Sequence, residues 1–147
     1  MLSNQTQIKF RTSKESIMGF WYNQIGSTLC IQKVIRGKAI KGYYISPLGT
    51  GGEIFPLSGI IDRNLDENGL RISFSVNWGK YESMTSWIGY FEEKNGKLQL
   101  KTHWQLVKTK PNRSGFKVLR SQDIFTRTTS ILNYSNKSKN EKLLFKT

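Results

Sequence analysis

Leu70-Arg71-Ile72-Ser73-Phe74-Ser75-Val76-Asn77-Trp78 alternates without a break between apolar and polar residues. Side chains on a β-strand point alternately to opposite faces, so this stretch reads as a strand that buries Leu70, Ile72, Phe74, Val76 and Trp78. Arg71, Ser73, Ser75 and Asn77 then face water. Outward from this stretch the same theme recurs: short alternating or β-branched runs, broken by Gly, Asn or Pro. The runs are 19–23, 28–34, 39–46, 54–61, 70–78, 84–91, 97–107 and 117–126, which makes eight strands. The breaks carry turn chemistry, at Gln24-Ile25-Gly26, Arg36-Gly37-Lys38, Asp66-Glu67-Asn68-Gly69 and Lys94-Asn95-Gly96. No segment of ten or more residues has a helical apolar period. Regular strands joined by short turns predict an all-β fold, an eight-stranded antiparallel up-and-down β-barrel whose closure leaves no open edge.

The 147 residues suit one domain with its own core. Residues 1–18 form a polar N-terminal extension, residues 19–127 the barrel, and residues 128–147 a basic tail in which Leu143, Leu144 and Phe145 could dock. No stretch approaches 18 consecutive apolar residues, so no membrane partner is expected. The N-terminus has no apolar signal-peptide core. Cys30 is the one cysteine, which rules out an intrachain disulfide and reads as a strand residue. His103 is the one histidine. Neither the usual His/Cys zinc set nor a histidine-based triad can be assembled, so neither a metal, a cofactor nor an enzymatic function is expected. The net charge of +13 divides as +2, +7 and +4 over residues 1–18, 19–126 and 127–147, so it is not confined to the tail. Such a surface attracts polyanions in a salt-sensitive, unspecific way and implies no specific nucleic-acid partner. The Asn-x-Ser/Thr matches at Asn4, Asn112, Asn133 and Asn136 reflect polar composition rather than glycosylation.

Parity assigns the interior. In 97–107 the inward set is Leu98, Leu100, Thr102, Trp104 and Leu106. In 84–91 the set Thr85, Trp87, Gly89 and Phe91 competes with Met84, Ser86, Ile88 and Tyr90. If the first set faces in, Trp78, Trp87 and Trp104 converge at one end of the barrel. An eight-stranded barrel is just wide enough for side chains or one small ligand, so the indoles alone fit an aromatic core as well as a lined pocket. The polar residues favour a pocket. Asn23 shares parity with Trp21, Ser46 with Tyr44, and Asp123 with the inward Phe125. A buried polar group without a partner costs about 1–3 kcal/mol, and a polar ligand would supply the partner.

These residues fall in a pattern that resembles the avidins and streptavidin. Gly19-Phe20-Trp21-Tyr22-Asn23-Gln24-Ile25-Gly26-Ser27 is similar to the family's opening signature. Gly42-Tyr43-Tyr44-Ile45-Ser46, Val76-Asn77-Trp78 and Ser83-Met84-Thr85-Ser86-Trp87 follow in order. Leu100-Lys101-Thr102-His103-Trp104-Gln105-Leu106 and Asp123-Ile124-Phe125-Thr126 complete the pattern, which covers about residues 19–127. The resemblance implies tight, non-catalytic binding of free biotin at one end of the barrel. Asn23, Ser27 and Tyr44 would donate to the ureido oxygen, and Ser46 and Asp123 would accept from the ureido N–H groups. Phe74, Trp78, Trp87 and Trp104 would wall the bicycle, Leu106 would add apolar contact, and Thr85 would reach the sulfur. The loop holding Leu48, Gly49 and Thr50 would close over the pocket and, with Ser83, hold the carboxylate.

Where most tetrameric members place a Trp that enters a neighbour's pocket, this chain has Phe116-Lys117, and Phe116 stands as the candidate lid. His103, Arg120 and Gln122 fall near positions that in the family meet across another interface, where Arg120 would face its own symmetry mate. The expectation is a homodimer, with a tetramer as the alternative. The resemblance also implies a secreted or periplasmic protein. Rival readings are a barrel carrier of another small ligand and a basic single-strand nucleic-acid binder. The first suits a cavity without Asn23, Ser46 and Asp123, and the second suits aromatics that face outward.

Overall fold

The computed structural model describes residues 14–47, 50–65 and 69–128. A short helix, α1 (Lys14–Ile17), precedes eight strands: β1 (Gly19–Tyr22), β2 (Thr28–Ile35), β3 (Ala39–Ile45), β4 (Ile54–Arg63), β5 (Leu70–Asn77), β6 (Ser83–Lys94), β7 (Lys97–Thr109) and β8 (Phe116–Phe125). Each strand pairs antiparallel with its sequence neighbour in one sheet of order β1 to β8. The sheet curls on itself, and Tyr22 and Thr126 join its ends by exchanging backbone hydrogen bonds of 2.8 Å in both directions. The all-β, up-and-down fold read from the alternation is therefore present. No helix among the described residues is long and apolar enough to cross a membrane.

The core fills the inside of the curl. Ile72, Phe74 and Val76 of β5 are buried, as the opening stretch requires. On β6 the structure decides between the competing sets: Thr85, Trp87 and Phe91 are buried, whereas Met84, Ile88 and Tyr90 are exposed. β6 also runs longer than 84–91. Asn95 and Gly96 both adopt positive φ (54° and 74°), and this tight turn lets pairing continue to Lys94 opposite Lys97. β5 ends at Asn77 rather than at Trp78, because Trp78 opens a single 3-10 turn over Gly79–Tyr81. The Asn77 Oδ1 accepts the Gly79 N–H at 2.9 Å and fixes this break. In β2 a bulge at Gln32 shifts the register opposite Gly42. A Cβ on Gly42 would lie 1.8 Å from the Cys30 carbonyl, so only glycine fits there.

One end of the barrel is stoppered. Ile17, upstream of the strand rhythm, is fully buried, and its carbonyl accepts the Trp21 Nε1–H at 2.8 Å. The Arg127 guanidinium lies 3.8 Å from the centre of the Trp21 ring. It donates to the carbonyls of Phe20 (2.9 Å) and Ser16, and so ties α1, β1 and the chain after β8 together. The other end opens into a cavity.

Candidate ligand-binding site

The cavity is a narrow cleft open to solvent, and the empty space in it and across its mouth together is about 360 Å3. Trp78, just after β5, with Trp87 of β6 and Trp104 and Leu106 of β7, supplies its apolar wall. Tyr44 of β3, Ser46 just after it, Ser27 in the turn after β1 and Asp123 of β8 supply polar atoms. The Tyr44 ring stacks on Trp87 with centroids 4.9 Å apart, and Trp78 meets Tyr44 edge-on at 5.7 Å, so the walls are close. Thr85 also lines the space, and its Oγ1 accepts the Trp78 Nε1–H at 2.8 Å. That bond locks one indole and leaves the threonine O–H to donate elsewhere.

Asp123 is the electrostatic centre. It is 6% exposed. Its Oδ2 accepts the Trp87 Nε1–H at 3.0 Å, and its Oδ1 accepts the Gln24 amide at 3.1 Å. Burial pushes the carboxyl above the usual carboxylate range, and hydrogen bonds from Trp87, Gln24, Asn23 and Trp104 work against that rise. Gln24 also receives the Ile124 N–H at 3.1 Å, so the turn after β1 is braced against β8.

Asn23 does not itself line the cavity but orders the side that does. Its Oδ1 accepts the backbone N–H of Ser27 (2.8 Å) and Ile25 (3.2 Å), and its Nδ2 faces the Tyr44 hydroxyl at 3.5 Å. Phe74 is a backing wall, stacked on Trp87 at 4.9 Å and 13°. Thr50 is buried, and its hydroxyl holds the Ser46 carbonyl at 2.9 Å. Ser83 is buried one inward step beyond Thr85 on β6, toward the mouth. Leu48 and Gly49 lie outside the described residues.

Phe116 is placed differently from the other candidates. It begins β8 with the outward parity of Val118, is 69% exposed, and stands outside its own chain's cavity. Ile25 lines the cavity but is absent from the expected set. It sits in a turn, where the alternation that exposed the other positions does not operate.

A family model described as the Avidin family matches residues 11–128. Avidin from Gallus gallus is 36% identical over 97 residues, which are 63% of this chain and 64% of that protein. Afifavidin from Afifella pfennigii is 28% identical over 99 residues, or 63% of this chain and 58% of that one. The match spans a little under two thirds of the length of these relatives. The crystal structure of a rhizavidin-biotin complex superposes with a TM-score of 0.66 at 29% identity, covering 81% of this chain and 98% of that one. Xenavidin gives 0.62 at 25% identity, covering 79% and 100%.

Proposed function

Since this chain belongs to the avidin family, we propose that its cavity binds free biotin and performs no chemistry on it. One observation carries this reading: buried hydrogen-bonding atoms of Ser27, Tyr44, Ser46 and Asp123 converge inside a space otherwise walled by indoles. A ligand that fits needs a compact polar head with one acceptor and two donors inside an apolar body. Biotin's ureido group meets that description. Its oxygen accepts from Ser27 and from Tyr44, whose hydroxyl the Asn23 amide polarises from behind the wall. Its N–H groups donate to Ser46 and to Asp123, because a carboxylate has lone pairs beyond those that Trp87 and Gln24 use. Trp78, Trp87 and Trp104 cover the bicycle, and the Thr85 hydroxyl, already held by Trp78, donates to the sulfur.

The relative solved as a biotin complex supports the choice of ligand. The polar set weighs against a carrier of a purely apolar molecule, and the inward Trp78 and Trp87 weigh against stacking on a nucleic acid. A secreted or periplasmic setting belongs to the same proposal. Saturating biotin is expected to quench tryptophan fluorescence and raise the melting temperature through linkage. If neither changes, biotin is not the ligand.

A further inference from the structure

The outer wall of β1, β2 and β3 faces away from the cavity and carries its own aromatic residues. Phe20 stands opposite Cys30, and Cys30 opposite Tyr43, in one row across the three strands. All three have outward parity, since their neighbours Trp21, Leu29 and Tyr44 are buried in the core. The Phe20 and Tyr43 rings meet edge-on with centroids 6.4 Å apart. A hydrogen bond between the Tyr43 hydroxyl and the Cys30 thiol raises the Tyr43 pKa and lays that ring over β2. The pair therefore covers Cys30, which is buried despite its outward parity. The other side of the pair stays open to water, and Phe20 is 48% exposed.

Cations flank these rings. In the next outward row toward the closed end, Lys33 stands directly opposite Lys41, where like charges repel. Arg36 and Lys38 follow at the turn of the same hairpin, and all four are exposed. No Asp or Glu occurs between Ile17 and Gly52. Asp62 lies within electrostatic reach of Lys38 but is held by Arg71. Among the described residues, no ion pair joins any of the four cations to an acid.

Exposed rings beside unneutralised cations are what proteins use to hold single-stranded nucleic acid: bases stack on the rings and phosphates meet the cations. We propose that the outer wall of β1, β2 and β3 is a second binding surface, which takes single-stranded nucleic acid without sequence preference. Unpaired bases stack on Phe20 and Tyr43, and the backbone runs along Lys33 and Lys41 toward the turn at 36–38. A duplex keeps its bases stacked internally and offers the rings no face, so it gains the charge contacts alone. An acidic polysaccharide likewise engages the lysines without the rings. The cavity indoles take no part, and the proposal stands independently of the biotin reading.

The test measures binding of three labelled probes to the full chain by fluorescence anisotropy, with and without saturating biotin. The probes are an oligothymidylate of about 15 nucleotides, its duplex with oligodeoxyadenylate, and heparin. The single strand is expected to bind at least about fivefold tighter than the duplex, whether or not biotin is present. Phe20→Ala should weaken the single strand at least about fivefold and leave duplex and heparin within about twofold. Phe20→Tyr keeps a ring and should bind like the wild type. Lys33→Gln/Lys41→Gln should weaken all three probes and make the slope of log affinity against log salt shallower by about 1.4 for the single strand. A control, Lys94→Gln/Lys97→Gln, removes equal charge from an in-register pair on β6 and β7 and should keep affinity and slope. The surface is overturned if the wild type binds single strand and duplex equally, or if Phe20→Ala spares the single strand or weakens heparin as much. It is also overturned if the two lysine variants behave alike, or if biotin displaces the strand, which would put the strand in the cavity. Should Phe20→Ala fail to fold, the strand-over-duplex preference and the two lysine variants still decide.

Discussion

Asp123 shows how a single residue links sequence, burial and binding. Its carboxyl is raised above the ordinary range chiefly by burial, so the folded chain holds a proton that the unfolded chain would release. Between the unfolded pKa, about 3.9, and the raised folded value, the native state binds more protons than the unfolded state. Stability from this group is thus present at low pH and falls as pH rises through that window. Asp123→Asn is expected to melt above the wild type at neutral pH without ligand, with the gap closing below about pH 4. Equal melting at neutral pH would mean that the donors from Trp87 and Gln24 fully compensate the burial. Biotin binding has the opposite sign, because its N–H groups need the ionised carboxylate, and Asp123→Ala should weaken binding by about 2–4 kcal/mol. Trp104→Ala should cost about 3–5 kcal/mol through lost wall contact, whereas Lys101→Ala, paired with Glu92 at 3.0 Å, should leave affinity unchanged. Titration calorimetry reads all three, and an Asp123→Ala protein that binds at wild-type strength removes that residue from the site.

The strands were legible because their physics is local. Alternation places Phe74, Trp78 and Trp104 inward, whereas in 84–91 two parity sets compete and only the structure settles that Trp87 is buried, and the Asn95-Gly96 turn announces its hairpin by the positive φ it requires. Contacts made only by the closed barrel were not legible. Nothing in a window around Ile17 shows that it will be capped by Trp21, and nothing near Arg127 shows that its guanidinium will cover the same indole. Ile25 escaped notice because it lies in a turn, where there is no parity to read. The Arg127 clamp is itself testable. Arg127→Ala removes a cation–π contact and two carbonyl partners, and is expected to destabilise the fold by about 1–3 kcal/mol in denaturant melts. Truncation after Thr128 keeps the clamp and should keep both stability and binding. A truncated chain that fails to fold would show that Leu143, Leu144 and Phe145 make a necessary contact.

At the scale of the molecule, the outer wall of β6, β7 and β8 is unusually apolar for a strongly basic protein. Met84, Val107 and Val118 lie side by side in register, and all are at least 40% exposed. Ile88, Tyr90 and Ile124 continue the exposed apolar surface. The Met84–Val107–Val118 row and the exposed apolar residues beyond the polar Ser86–Gln105–Arg120 row favour a partner, and two-fold pairing of identical chains is the commonest solution. Arg120 stands opposite Gln105 on the same wall, and Phe116 lies exposed outside its own cavity. A dimer is therefore expected from light scattering across micromolar dilutions, with and without biotin, and a stable tetramer at every dilution would contradict it. The proposed site requires a stoichiometry of one biotin per barrel. Isothermal titration of the full chain with free biotin tests it directly. Tight binding that saturates at one biotin per chain is expected, with a negative heat-capacity change from the buried bicycle. No heat across several temperatures, or a stoichiometry far from one, would contradict it.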